Sequence, residues 1–333
     1  MAVTKLTRPF ASCFLASPSR GERGELALTL RLRHGGSAEI SLPYELTGSA
    51  GASLLVVAGG ISAGRHVVAS DAFPEAGWWQ SQAGTLNVDR YRVLAIDWVG
   101  ADGAIDAPID PADQADAIAQ LLASLGIDRI AGFIGASYGA MVGMHLAARM
   151  RENMGALLAI SASHSPHPFA SACRALQRQA LALGALQGES AAGVALARAM
   201  AILTYRTPDE FEERFAADPK LEHGRVRVAA EDYLDFQGAR HCQRMTSTAY
   251  LRLSESIDLH RIEPSVLSVP LTLVAVDSDA LVPAKDIETV AKQVPGAAFH
   301  LIHSRFGHDA FLKEERQVGT IIAKFLESVE QRA

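Results

Sequence analysis

The sequence predicts an α/β fold: a mainly parallel central sheet flanked by helices, with a helical lid inserted before the last strands. Three observations lead there. Short apolar runs recur along the chain with helix-like stretches between them, an alternating pair of segments precedes them, and one long interval between two of the runs carries helical patterns only. Apolar runs without alternation mark strands buried on both faces, which is the condition of a parallel sheet covered by helices.

In order, ELALTLRL (25–32) and AEISLPYEL (38–46) alternate apolar with polar residues around the turn signal His34-Gly35-Gly36 and predict a hairpin at one sheet edge. The buried strands follow as LLVVA (54–58), YRVLAIDW (91–98), RIAGFI (129–134), LLAIS (157–161), LTLVAVD (271–277) and AFHLI (298–302). Asp110 is placed to cap a helix over 111–124, AMVGMHLAARM predicts a helix over 140–150, and residues 309–330 have apolar residues at helical spacing. The interval of about 110 residues after LLAIS has no convincing strand pattern, and ACRALQRQALALGAL and VALARAMAILTY within it read as helices. The expected organisation is a core of residues 1–163 and 266–333, interrupted by a lid at 164–265.

Composition narrows the function. The 333 residues are 49% hydrophobic and 20% charged, ordinary for a folded soluble chain. The net charge of −6, with no block of basic residues, argues against nucleic acid as a partner. Three well-separated cysteines, Cys13, Cys173 and Cys242, make neither a disulfide framework nor a zinc site and fit a reducing cytoplasm. The N-terminal MAVTKLTRPFASCFLASPSR is broken by Pro9 and Ser12 and is not expected to be a cleaved leader, and no run has the length of a membrane span.

The chemistry centres on Gly135-Ala136-Ser137-Tyr138-Gly139, a GxSxG sequence between a strand and a helix. A nucleophilic serine lifted off a sheet needs a sharp turn there, and small residues two before and two after make the turn possible. Serine is a weak nucleophile unless a histidine takes its proton and a carboxylate orients that histidine; on this architecture both lie downstream. His308, after the last strand, is the expected base. Asp279, deeper in the loop after LTLVAVD, is preferred over Asp277, which is better placed to cap the strand end. His164 and His167 lie at the lid entrance, and His300 and His303 in or at the end of a strand. The oxyanion needs preorganised N–H donors; Tyr138 supplies one, and Ile61, in the turn Gly59-Gly60-Ile61-Ser62, is expected to supply the other. The alternative for that glycine pair is a tight turn alone.

Several further segments occur in one order along most of the chain: Gly77-Trp78-Trp79, Asp89-Arg90-Tyr91, Ala197-Arg198, Thr204-Tyr205-Arg206, YLDFQG (233–238) and GHDAFL (307–312). In these the chain resembles the homoserine O-acyltransferases of the α/β-hydrolase superfamily. The resemblance implies a two-step transfer in methionine biosynthesis: an acyl-CoA acylates Ser137, CoA leaves, and L-homoserine takes the acyl group with His308 as base. It implies a triad of Ser137, Asp279 and His308, with Arg198 and Tyr205 receiving the amino-acid carboxylate and Asp309 the ammonium group. Read from the residues alone, Asp309 is a helix cap and Arg198 a surface arginine of a lid helix. The resemblance also implies a homodimer joined through lid helices, and acyl-CoA as co-substrate with no metal or other cofactor.

The departures lie near the acyl group. Where the family carries Gly-Gly-Ser-Met-Gly-Gly, this chain has Ala136, Tyr138 and Ala140, so Tyr138 is expected to put a larger group beside the nucleophile. The donor is acetyl-CoA or succinyl-CoA, with acetyl slightly favoured, and Arg65 is a candidate cation for a succinyl carboxylate. A serine acceptor is an option. The competing reading is an esterase or thioesterase that uses the same triad with water. A non-enzymatic binding protein is disfavoured because all three triad positions are filled.

Overall fold

The computed structural model describes residues 21–332; the N-terminal segment 1–20, with Cys13 and the reading that it is no cleaved leader, lies outside them. The alternating segments form a long antiparallel hairpin, β1 (Gly21–Leu32) and β2 (Gly36–Thr47), paired from Gly21 opposite Thr47 to Leu32 opposite Gly36. The core continues through β3 (Ser53–Ala58), the short α1 (Ala83–Leu86), β4 (Tyr91–Ile96), α2 (Pro111–Ser124), β5 (Gly132–Ala136), α3 (Tyr138–Met150) and β6 (Leu157–Ile160). The insertion carries α4 (Pro168–Leu186), α5 (Ser190–Tyr205), α6 (Pro208–Phe215), β7 (Lys220–Glu222), β8 (Arg225–Arg227), α7 (Ala229–Cys242) and α8 (Ser247–Leu259). The core then closes with β9 (Leu271–Val276), α9 (Ala284–Gln293), β10 (Ala298–Ile302), α10 (Ala310–Lys313) and α11 (Glu315–Glu330).

Eight strands form one sheet in the order β1-β2-β4-β3-β5-β6-β9-β10, antiparallel at β1–β2 and β2–β4 and parallel from β4 onward. The two-residue period of a strand divides its apolar residues between two cores. On β3, Leu54, Val56 and Ala58 face the layer holding Ile118 of α2 and Met144 of α3, while Leu55 and Val57 face the layer holding Ile322 and Phe325 of α11. On β9, Leu273 and Ala275 go to the first core and Val274 and Val276 to the second. This two-sided burial is why the sequence shows runs rather than alternation. β10 is the exception: it lies at the sheet edge, and only Ile302 of its residues is buried.

α2 begins as expected. Asp110 accepts from the N–H of Ala112, Asp113 reaches back to the N–H of Asp110, and Pro111 occupies the first turn.

Three expectations change. The strand expected at 129–134 runs over 132–136, with Ile130 making only an isolated bridge to Met154, so the strand carries the chain straight into the GxSxG turn. The insertion is not wholly helical: β7 and β8 form a small antiparallel ribbon, its strands short and almost entirely exposed, without the apolar alternation that would reveal them. The helix expected over 309–330 is a 3-10 turn (Gly307–Asp309), then α10, then α11, broken at Glu314 with φ −88° and ψ 57°.

Candidate active site

Ser137 stands between β5 and α3 with φ 54° and ψ −120°, a conformation costly for a residue with a Cβ. The surrounding backbone holds it there. Its N–H donates to the carbonyl of Ile160 on β6 (2.8 Å), and its carbonyl accepts from Ala140 and Met141 of α3. The flanking glycines are required by space. A Cβ on Gly135 would lie 2.6 Å from the backbone of Ala140, and one on Gly139 would lie 2.3 Å from the carbonyl oxygen of Ala58. The small residues of the elbow thus let β5, the first turn of α3 and the end of β3 approach one another.

The same approach positions the glycine-rich turn after β3. The N–H of Gly139 donates to the carbonyl of Gly59 (2.8 Å), which fixes Gly60 and Ile61 beside the elbow. The N–H groups of Ile61 and Tyr138 have no acceptor among the described residues, and Ile61 lines the same cavity as Ser137.

His308 comes from the 3-10 turn after β10. Its Nε2 is 2.8 Å from Oγ of Ser137, and its Nδ1 is 2.7 Å from Oδ2 of Asp279. The other oxygen of Asp279 accepts from the N–H groups of Leu281 (2.9 Å) and Val282 (3.0 Å), so the carboxylate cannot rotate away. Burial opposes a charged imidazole at His308, but the charge and hydrogen bond of Asp279 outweigh it and raise the pKa above 6.5. Asp277 serves another purpose: it takes hydrogen bonds from the ring of His303 (2.8 Å) and the N–H of Ser304, at the solvent-facing end of the strand. His167 caps α4 through its ring nitrogen, and His300 lies on the edge strand.

The cavity at Ser137 has a volume of about 210 Å³ and extends beneath the lid helices. Arg198, Tyr205 and Asp309 all line it. The guanidinium of Arg198 lies over the Tyr205 ring at 5.4 Å and forms no ion pair among the described residues. Tyr205 in turn lies 6.1 Å from the His308 ring, and burial pushes its hydroxyl pKa up. Asp309 makes no side-chain capping bond to α10, so the helix-cap reading of this residue fails. Its Oδ2 is 3.4 Å from Nε of Arg206. Burial raises its pKa against the pull of Arg206, His308 and Arg198.

A family model for the alpha/beta hydrolase fold matches residues 54–315. The chain is 52% identical over 315 residues to a homoserine O-succinyltransferase of Xanthomonas campestris, an alignment covering 93% of this chain and 85% of that protein. It is 33% identical to a homoserine O-acetyltransferase of Thermus thermophilus over 77% of this chain and 73% of the relative.

The chain belongs to the homoserine O-acyltransferase family of the α/β-hydrolase superfamily.

It is accordingly an acyltransferase. The crystal structure of homoserine O-acetyltransferase from Bacillus anthracis superposes with a TM-score of 0.82 over 93% of this chain and 98% of that one, at 16% identity, and shows the shared fold.

Two of the segments that carry the resemblance have structural roles. Trp78 lines the cavity, donates to the carbonyl of Gly64 (3.0 Å) and stacks on Trp79, which donates across the molecule to the carbonyl of Phe311 beside the His308 turn. Tyr91 bonds Glu330 at the end of α11. Neither the side chain of Tyr138 nor Arg65, the candidate cation, lines the cavity. The ring of Tyr138 points into the core, edge-on to Trp98 at 4.9 Å, with its hydroxyl 2.7 Å from Oγ of Ser256, and it ties the elbow helix to α8. Arg65 pairs with Asp97 and does not line the cavity.

What the sequence reading missed is the polar end of the cavity. Arg174 and Gln177 of α4 and Ser254 of α8 all line it and are all buried. Arg174 and Arg178 sit four apart in ACRALQRQALALGAL, a spacing that any helix face can show. Only folding brings Asp258 between them.

Proposed function

We propose that this protein transfers a succinyl group from succinyl-CoA to the hydroxyl of L-homoserine through an acyl-Ser137 intermediate, as a step of methionine biosynthesis in the cytoplasm. The observation that carries this reading is that one cavity is lined by Ser137 and His308, the latter hydrogen-bonded to Asp279 behind it, together with a cation, Arg198, and an anion, Asp309. Water needs no such pair; a zwitterionic acceptor does.

In the first half-reaction His308 Nε2 takes the Ser137 proton as Oγ attacks the thioester carbonyl. The resulting oxyanion is held by the N–H groups of Ile61 and Tyr138. The intermediate collapses, the C–S bond breaks, and the proton on His308 passes to the departing thiolate. In the second half-reaction homoserine binds with its carboxylate at Arg198, assisted by Tyr205, and its ammonium at Asp309. His308 removes the hydroxyl proton, the new C–O bond forms, and the proton returns to Ser137 as its acyl bond breaks. Asp279 keeps Nδ1 protonated throughout and Nε2 available. These steps use only the side chains and backbone groups named.

The sequence alone tips the donor towards acetyl. The name of the 52%-identical relative and the second arginine at the cavity favour succinyl. We also propose a homodimer. Phe169, Leu176 and Leu183 recur every seven residues on α4, as do Leu196 and Leu203 on α5, and all five are more than half exposed. Such an apolar stripe on a lid fits a second copy.

The test is to incubate the purified protein with succinyl-CoA or acetyl-CoA, with and without L-homoserine, and follow free thiol and O-acylhomoserine. The expected result is thiol release that requires homoserine and equals the O-acylhomoserine formed. Equal release without homoserine would make the protein a thioesterase.

A further inference from the structure

We infer that Arg174, supported by Gln177 and Ser254, binds the terminal carboxylate of the succinyl group and so sets the choice of acyl donor. The inference rests on the acyl transfer proposed above and adds the residue that selects its donor.

The groups around Arg174 are arranged as donors without acceptors. Its Nε (2.9 Å) and Nη2 (2.6 Å) both donate to Oδ1 of Asp258, while the other oxygen of Asp258 accepts from Arg178 at 2.7 Å. One carboxylate therefore serves two guanidinium groups, and the cluster keeps a net positive charge. Nη1 of Arg174 has no protein partner among the described residues, although the residue is 9% exposed and lines the cavity. The Tyr250 hydroxyl lies 3.2 Å from Gln177 Oε1 and 3.1 Å from the carbonyl of Ala197, and Gln177 Nε2 has no partner among the described residues. Ser254 accepts from Arg178 at 3.1 Å, and its hydroxyl proton has no acceptor among them. Three buried residues with unused donor hydrogens, one of them charged, form a site for an anion.

Charge decides which anion. The cavity presents two cations, Arg174 and Arg198, and one anion, Asp309. Homoserine, with one carboxylate and one ammonium, uses Arg198 and Asp309. An acetyl group brings no charge and would leave Arg174 facing a neutral methyl. A succinyl group brings one carboxylate and balances the cavity. Arg178 and Asp258 hold the Arg174 side chain in place from behind, so its free Nη1 is preorganised.

The experiment compares succinyl-CoA with butyryl-CoA, which has the same chain length and the same CoA but a methyl in place of the carboxylate, so any contact with CoA cancels. The wild-type kcat/KM is expected to favour succinyl-CoA by about 100-fold or more, and Arg174→Gln to reduce that ratio by about 100-fold, since a buried donor set discriminates strongly against a ligand lacking its acceptor. Arg174→Lys, which keeps the charge and loses the fork, is expected to give an intermediate ratio. Equal loss with both donors in Arg174→Gln would show a merely structural arginine and overturn the inference. Should that variant fail to fold, the wild-type ratio decides, and a ratio near one overturns it as well. Formation of O-acylhomoserine from butyryl-CoA or acetyl-CoA as readily as from succinyl-CoA would refute this inference and leave the transferase reading standing; no O-acylhomoserine from any donor would remove both.

Discussion

The carboxylate of Asp309 lies 3.4 Å from Nε of Arg206, and the same guanidinium holds Glu210 through Nη1 at 2.5 Å. Arg206 thus stands behind the group proposed to take the homoserine ammonium, while Nε itself is buried without a hydrogen bond. Replacing it frees Asp309 to move and removes a positive charge that opposes the upward push of burial on its pKa. Arg206→Met is expected to raise KM for homoserine about 10-fold, with a smaller change in kcat, the pattern of lost acceptor binding. Steady-state kinetics at saturating acyl-CoA reads this directly, and an unchanged KM would detach Arg206 from the acceptor site.

His308 must be neutral to accept the serine proton, and its pKa is raised above 6.5. The acidic limb of the kcat/KM profile is therefore expected above that value. Asp279→Asn removes the charge responsible, so the limb moves down, and with the ring no longer held in the right tautomer kcat falls by about 10⁴. The link to stability follows the same sign. A raised folded-state pKa means folding favours the protonated ring, so this contribution is complete below pH 6.5 and is lost as pH rises through the folded value.

His145 on α3 and His260 at the end of α8 behave in the opposite way. Their rings meet at 3.2 Å, His260 donates its other nitrogen to the carbonyl of Ser163, and burial lowers the pair to about 4 and about 3. Folding favours the neutral rings, so their contribution is complete above pH 6.5 and is lost progressively as pH falls towards about 4 for His145 and about 3 for His260. Urea midpoints measured from pH 7 to pH 5 are expected to fall, and His145→Gln to flatten that fall. An unaltered slope in the variant would place the acid sensitivity elsewhere.

Tyr138→Phe removes the hydroxyl bound to Ser256, a fully buried serine. The expected cost is about 1–2 kcal/mol of folding free energy, the usual consequence of leaving a buried polar partner unpaired. Denaturant unfolding measures it. No loss of stability would mean that the elbow helix and α8 are not coupled through this bond.

The core was legible in the sequence because its signals are local. Leu54 to Ala58 and Leu273 to Val276 are continuous apolar runs because each strand is covered on both faces, and Asp110-Pro111 announces α2 by capping chemistry alone. The elbow was legible because its two glycines answer a steric demand within five residues. Choosing Asp279 over Asp277 required only the depth of the loop, and the structure joins Asp279 to His308. The polar end of the cavity was not legible. Arg174, Gln177 and Ser254 meet only when α4 and α8 pack, and Asp258, which holds Arg174, lies 84 residues away along the chain. Tyr138 misled for a related reason: adjacency to Ser137 in sequence does not fix where a ring points, and at the first turn of α3 it points into the core.

The central claim, a succinyl group carried on Ser137, is tested most directly by intact-protein mass spectrometry after mixing with succinyl-CoA in the absence of homoserine. The predicted result is a protein heavier by one succinyl group, mapped to Ser137, lost on adding L-homoserine with formation of O-succinylhomoserine, and never formed by Ser137→Ala. Absence of the adduct, its presence on another residue, or its equally rapid loss to water without homoserine would contradict the account.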